Sequence, residues 1–296
     1  MKKFAVGCAL VILSACAAPA VSSWAPAQSA AARSEPRSSP IALNVPIGLA
    51  EDKNGNLYVA NAGSSQILIY NSKNQQLTSK TISDGVDQPA GLAFDKTGNL
   101  YAAERSSQEV TVYNSAGKLI ATLHTDDSAG YAPSGVAVAS SGDIWVANRN
   151  NTNYDVGEIQ VLSSSGKVLH SSSEELAYPV GVLFEGADTW VFNSHSASIA
   201  VFDSNAKLVN TIGLSAVLPS YAAKSSNGDI YVTDQAASSI AELDSSGKVL
   251  KTTKNKGLDN PDGIVFDKAG NFYAADSGNN TITEYDSKGN LIHTIQ

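Results

Sequence analysis

From residue 45 onward, apolar and polar positions alternate in short runs broken by Gly, Asn, Asp and Ser. Stretches such as Gly91-Leu92-Ala93-Phe94 and Leu100-Tyr101-Ala102-Ala103 are too short for helices. Alternation of this kind marks strands with one face in a core. The runs also recur. "VPIGLAEDKNGNLYVANAG" returns as "QPAGLAFDKTGNLYAAERS", "APSGVAVASSGDIWVANRN", "YPVGVLFEGADTWVFNSHS", "LPSYAAKSSNGDIYVTDQA" and "NPDGIVFDKAGNFYAADSG". Each has a proline as its second residue, at 46, 89, 133, 179, 219 and 261, so the spacings are 43, 44, 46, 40 and 42. A period of this length predicts an array of supersecondary units.

Each unit predicts four strands. The first follows the proline, and a Gly-Asn or Gly-Asp turn leads to the second. The second carries an aromatic in every copy: Tyr58, Tyr101, Trp145, Trp190, Tyr231 and Tyr273. The third has a β-branched residue at one register: Ile67, Val110, Ile159, Ile199, Ile240 and Ile282. A turn such as "NSAGK" or "DSSGK" precedes the fourth, for example Lys118–Leu123. Gly and Asn tolerate the positive φ that tight hairpins demand. One such unit cannot bury both faces, but six in a ring can. The expectation is therefore an all-β fold, a six-bladed β-propeller of four-stranded antiparallel blades over 45–296, with the six aromatics wedged between blades. Copies four and five depart from the pattern: "EGADT" shortens one hairpin, and Tyr221 stands where a glycine recurs.

The consensus P-x-G-h-A-h-D-x-x-G-N-h-Y-h-A-D, followed by I-x-x-Y/F-D-S-x-G-K, resembles the NHL-repeat family across about residues 45–296. "PDGIVFDKAG" also resembles, distantly, gluconolactonase-type propellers of the senescence-marker family. That resemblance implies a divalent metal in the central channel, with Asp262 as a ligand. The aligned positions weaken it. Ile47, Ala90, Ser134, Val180, Ser220 and Asp262 supply one carboxylate and no amide, where a hard cation asks for about six oxygens. The expectation is no metal and no cofactor, with Asp262 as the single candidate ligand and no catalytic residue assigned.

A second polar set, Asn61, Glu104, Asn148, Asn193, Asp234 and Asp276, closes the second strand of all six copies. Short polar side chains that bond backbone amides suit a turn there. Of four histidines, His124, His170 and His293 fall on the fourth strands and His195 in a loop. A lyase of the streptogramin type needs a His and a Glu near a metal, and His195 with Glu158 is the nearest pair. The loop Asn148–Glu158, "NRNNTNYDVGE", is about five residues longer than its counterparts. Insertions of this kind often carry recognition. Arg105, Arg149, Tyr154, Asp155, His195 and Gln235 are the candidate binding residues on that face, and Asp262 is not expected to be needed there.

Composition narrows the partner. The net charge of −8 argues against nucleic acid, which needs a basic face. Both cysteines, Cys8 and Cys16, lie near the start, so no downstream disulfide framework is available. Lys2 and Lys3 precede the short apolar run "FAVGCALVILSA", which has the form of a signal peptide at 1–15. It ends in "LSAC", resembling the lipobox of bacterial lipoproteins, which implies lipidation at Cys16. Residues 16–44 then read as a flexible Ala/Ser/Pro-rich tether. Together these imply an exported, lipid-anchored envelope protein, at the outer membrane if Gram-negative. It is expected to act as a monomeric, non-catalytic binding or scaffold module. Its partner would be a protein or glycan of the envelope, its only membrane contact the lipid anchor. A metal-dependent hydrolase or lyase with a channel-mouth site is the alternative.

Overall fold

The computed structural model describes residues 39–125, 130–214, 217–253 and 257–296. The signal peptide expected at 1–15, Cys16 and the tether as far as residue 38 lie outside the described residues.

Six sheets follow one another along the chain, each built from consecutive antiparallel strands. Blade 1 holds β1 (Pro46–Glu51), β2 (Leu57–Asn61) and β3 (Gln66–Tyr70). Blade 2 holds β4 (Pro89–Phe94), β5 (Leu100–Glu104), β6 (Glu109–Tyr113) and β7 (Leu119–His124). Blade 3 holds β8 (Tyr131–Val138), β9 (Ile144–Asn150), β10 (Gly157–Leu162) and β11 (Val168–Ser172). Blade 4 holds β12 (Pro179–Glu185), β13 (Asp188–Asn193), β14 (Ser198–Phe202) and β15 (Leu208–Gly213). Blade 5 holds β16 (Pro219–Lys224), β17 (Ile230–Asp234), β18 (Ser239–Leu243) and β19 (Val249–Thr253). Blade 6 holds β20 (Pro261–Phe266), β21 (Phe272–Asp276), β22 (Thr281–Tyr285) and β23 (Leu291–Ile295).

The first blade departs from the expected four strands. Its outer edge is interrupted by a 3-10 turn at Thr78–Lys80. Gln76 and Ile82 remain there as isolated bridges to Tyr70 and Ile67.

The innermost strands meet around the axis, and β1 packs on β20 to close the ring. This explains the repeated glycine. A Cβ on Gly48 would sit 2.0 Å from the Ala90 carbonyl oxygen, on Gly135 2.1 Å from that of Val180, and on Gly263 2.2 Å from that of Ile47. No side chain fits between backbones that close. Closure needs no exchanged strand, since β23 belongs to the last blade. Instead Ile41–Val45 seals the seam through side-chain hydrogen bonds. Ile41 exchanges two with Gln76, at 2.7 and 2.8 Å, and the Val45 amide donates to Asn280 Oδ1 at 2.7 Å. Leu43 is buried with Ile282 and Ile295, so the packed domain begins a few residues before 45.

The recurring aromatics lie between blades, as expected. Tyr58 meets Phe94 of the next blade edge-on at 4.9 Å, Trp145 meets Phe184 at 6.3 Å, and Tyr231 meets Phe266 at 5.0 Å. Tyr101 packs with Val136, Trp190 with Ala222, and Tyr273 with Leu49 across the closure. Such rings bury the largest apolar area available to one side chain.

Candidate functional site at the channel mouth

The turns after the second strands and the connectors entering the first strands share one end of the propeller. Backbone bonds tie them together, as from Arg105 N to Gln88 O at 3.2 Å and from Ser194 N to Tyr178 O at 3.2 Å. The polar set at the end of the second strands is fully buried and does this work too. Asn61 Oδ1 accepts from Asn44 N at 2.6 Å, Glu104 Oε2 from Asp87 N at 2.8 Å, Asn193 Oδ1 from Ala177 N at 3.3 Å, and Asp276 Oδ1 from Asp259 N at 2.8 Å. Asp234 instead caps its own turn, through Ala237 N at 3.1 Å. The residues are structural, as their repetition implies: four of them reach the preceding connector, and Asn61, Asn193 and Asp276 also bond within their own turn, to Ser64, Ser198 and Asn279.

Asn148 is the exception. Neither its Oδ1 nor its Nδ2 has a partner. The cause lies in the inserted loop. In blade 4, Asn193 pairs with Ser198, leaving four residues between them (194–197); in blade 3, Asn148 pairs with Glu158, leaving nine (149–157). Part of the excess becomes strand: Arg149 pairs with both Ala132 and Gly157, and Tyr131 pairs with Asn150. The connector therefore enters the ladder instead of offering an amide to Asn148.

Arg149 lies over the ring of Tyr178, its Cζ 4.9 Å from the centroid, a cation–π geometry. Tyr178 meets Tyr154 edge-on at 4.9 Å, and Tyr154 lies 6.1 Å from the His195 ring. His195 Nε2 sits 3.1 Å from Asp155 Oδ1, on the exposed rim. The carboxylate set against His195 is thus Asp155, while Glu158 accepts from Gln160 Nε2 at 3.1 Å. Tyr178 has φ of 53°, as do the pre-proline residues Val45, Gln88 and Asn260 within a few degrees, so the conformation is shared by four of the six copies.

Toward the axis the mouth is plugged. Tyr221, replacing the usual glycine, sends its ring across the channel, and its hydroxyl donates to the Ser134 carbonyl at 2.8 Å. It packs with Ile47, Ala62, Ala90 and Val180. Burial pushes its phenol up to about 12. Asp262 lies beside it, buried, accepting from Gln235 Nε2 and, at 3.4 Å, from Ser220 Oγ. Ser277 is a further donor. Burial raises the Asp262 carboxyl, while these donors and the charges of Arg105 and Arg149 pull it back. Arg105 also bonds the Tyr221 hydroxyl.

The six candidate residues Arg105, Arg149, Tyr154, Asp155, His195 and Gln235 thus gather on one face, and Asp262 joins them instead of standing apart. Tyr178, Tyr221, Ser194 and Ser277 complete the cluster without having been named among the candidate binding residues. Two had a signal: Tyr221 by displacing a glycine, and Tyr178 by its place before Pro179.

A divalent cation does not fit this donor set. The ring of six positions offers one carboxylate, already engaged by an amide and hydroxyls, with two arginines facing it. Among the described residues no three His, Cys, Asp or Glu gather as a metal site would require.

The NHL repeat model matches residues 131–153, spanning β8, β9 and the start of the inserted loop. No curated protein sequence matches the chain. Solved structures match in fold. A streptogramin B lyase is 16% identical, with 86% of this chain and 84% of that one covered, at a TM-score of 0.66. A catalytically inactive virginiamycin B lyase from Staphylococcus aureus with quinupristin is 14% identical, with 86% and 84% covered, at 0.65. A nidogen/laminin complex is 15% identical, with 85% and 93% covered, at 0.63. At such identities the likeness is one of fold, a six-bladed propeller, and the NHL match is confined to residues 131–153.

Proposed function

We propose that this protein is a non-catalytic binding module of the bacterial cell envelope, exported and anchored as a monomer through a lipidated Cys16. Its propeller presents the Asn148–Glu158 face to a protein or glycan partner. The observation that carries this reading is the extended hairpin of blade 3. It adds Tyr154 and Asp155 to the face where Arg105, Arg149, His195 and Gln235 already stand. A scaffold of this kind can vary one hairpin without disturbing its core. The nidogen/laminin complex supports protein association as a use of the fold.

The test is capture from membrane extract by the wild-type chain and by a variant whose Asn148–Glu158 loop is cut to the length of Asn61–Gln66. Capture should fall at least tenfold while the circular dichroism spectrum is retained. Equal capture by both would sink the proposal. In the same cells Cys16→Ser should move the protein out of the membrane fraction, and unchanged fractionation with acyl chains still attached would refute the anchor.

A further inference from the structure

The arginine pair at the mouth has charge that the protein does not neutralise. Arg105 comes from the turn after β5 and Arg149 from the end of β9. The ion pairs among the described residues are His124–Glu109, His195–Asp155 and Lys224–Glu185, and neither arginine is among them. The Nε–H of each is closed off from solvent and has no acceptor. Tyr221 can accept from Arg105, but its own proton is already given to Ser134. Burial, and after it the charge of Arg105, lowers the Arg149 pKa. Two like charges in a poorly solvated place are costly unless a counter-charge joins them. Asp262 is one acid for two cations.

Beside the pair lies a hollow of about 220 Å³ lined by Tyr154, Tyr178, Ser194 and His195. Tyr154 is 53% exposed there, so a large apolar face stands open next to polar groups. We propose that Arg105 and Arg149 hold the carboxylate of an acidic sugar whose ring lies against Tyr154. The planar guanidinium fork matches a carboxylate. With Asp262 ionised, the three groups leave one positive charge, which suits a monoanion better than a phosphate dianion. The tyrosine face takes the sugar's C–H surface, and Ser194 and the His195–Asp155 pair meet its hydroxyls. This deepens the binding role proposed above and rests on it.

The experiment is calorimetric titration of the purified full chain with glucuronate, galacturonate and N-acetylneuraminate. Glucose, methyl glucuronate, acetyl-aspartate amide and inorganic phosphate serve as comparisons. At least one acidic sugar should bind saturably, at least tenfold more tightly than every comparison compound. Arg105→Gln and Arg149→Gln should each weaken it tenfold or more, with Arg105→Lys in between because it keeps charge and loses the fork. Asp262→Asn should tighten it by removing a competing charge. Retained circular dichroism separates these effects from misfolding. No acidic sugar bound, equal binding of the methyl ester, tighter binding of the peptide or phosphate, or indifference to both arginine variants would each overturn the proposal. If loop shortening still abolishes capture from membrane extract while all acidic sugars fail, the binding role stands and the sugar assignment falls.

Discussion

Asn193 and Asn148 occupy the same place in neighbouring blades and have opposite surroundings. Asn193 accepts from the Ala177 amide and donates to Glu175 O at 2.8 Å and Ser198 Oγ at 3.2 Å. Asn148, equally buried, bonds to nothing. The side chains are identical, so the difference lies in what the backbone delivers. Where the repeat is regular, the connector brings an amide to the end of the second strand and the polar residue ties the blade shut. Where the hairpin is extended, the connector runs on as strand beside it, no amide reaches the side chain, and polar groups are left over. Repetition marks scaffold, and its interruption marks the face with unspent chemistry.

If this contrast is right, the regular parts should punish change and the irregular part should tolerate it. The largest effect belongs to the inner ring. Gly135→Ala places a Cβ 2.1 Å from the Val180 carbonyl oxygen, and backbone has no way to yield there. A loss above about 4 kcal/mol is expected, seen as failure to fold or a greatly lowered urea midpoint. Near-normal stability would mean that the blades do not meet that closely.

Next comes Glu104, the one member of the polar set with a longer side chain. Burial pushes its carboxyl up to about 7, although Thr111 Oγ1 and Asp87 N donate to it. Because the folded pKa is raised, its contribution is fully present below the unfolded value near 4.5 and is lost as pH rises through about 7. Glu104→Gln should therefore stabilise by roughly 2–3 kcal/mol at pH 8 and change little at pH 4. Denaturant melts across that range would contradict this if the gain were the same at both ends.

The smallest effects test the contrast itself. Asn193→Ala should cost about 2 kcal/mol, because buried backbone groups lose their partners. Asn148→Ala should stay within about 0.5 kcal/mol of wild type or stabilise, since removing an unpaired buried amide costs no bond. Similar losses in paired urea titrations would erase the distinction between the two blades.

The fold was legible because the pattern is written six times. The Pro-x-Gly start, the aromatic register and the Gly-Asn turns each have one physical cause repeated around a ring. The first blade's broken outer strand was not legible, since Thr78–Lys80 carries no signal that separates a 3-10 turn from a strand. Arg105, Arg149, Tyr154, Asp155, His195 and Gln235 could be placed on one face from their registers alone. Their joining with Asp262 could not, because it depends on how far Tyr221 and the arginines reach across the axis. Asn148 was read with its five counterparts as a turn residue. Only the pairing of Tyr131 with Asn150 shows why it has lost that role.

Partners are expected to meet the face bearing the inserted hairpin. A photo-crosslinking residue at position 154 tests it most directly, against one at position 97, in the exposed turn between β4 and β5 at the opposite end. Irradiated in membrane extract, the chain labelled at 154 should give discrete higher-mass adducts and the chain labelled at 97 should give none. Adducts from 97 with none from 154 would put the partner at the other end of the propeller and refute this placement.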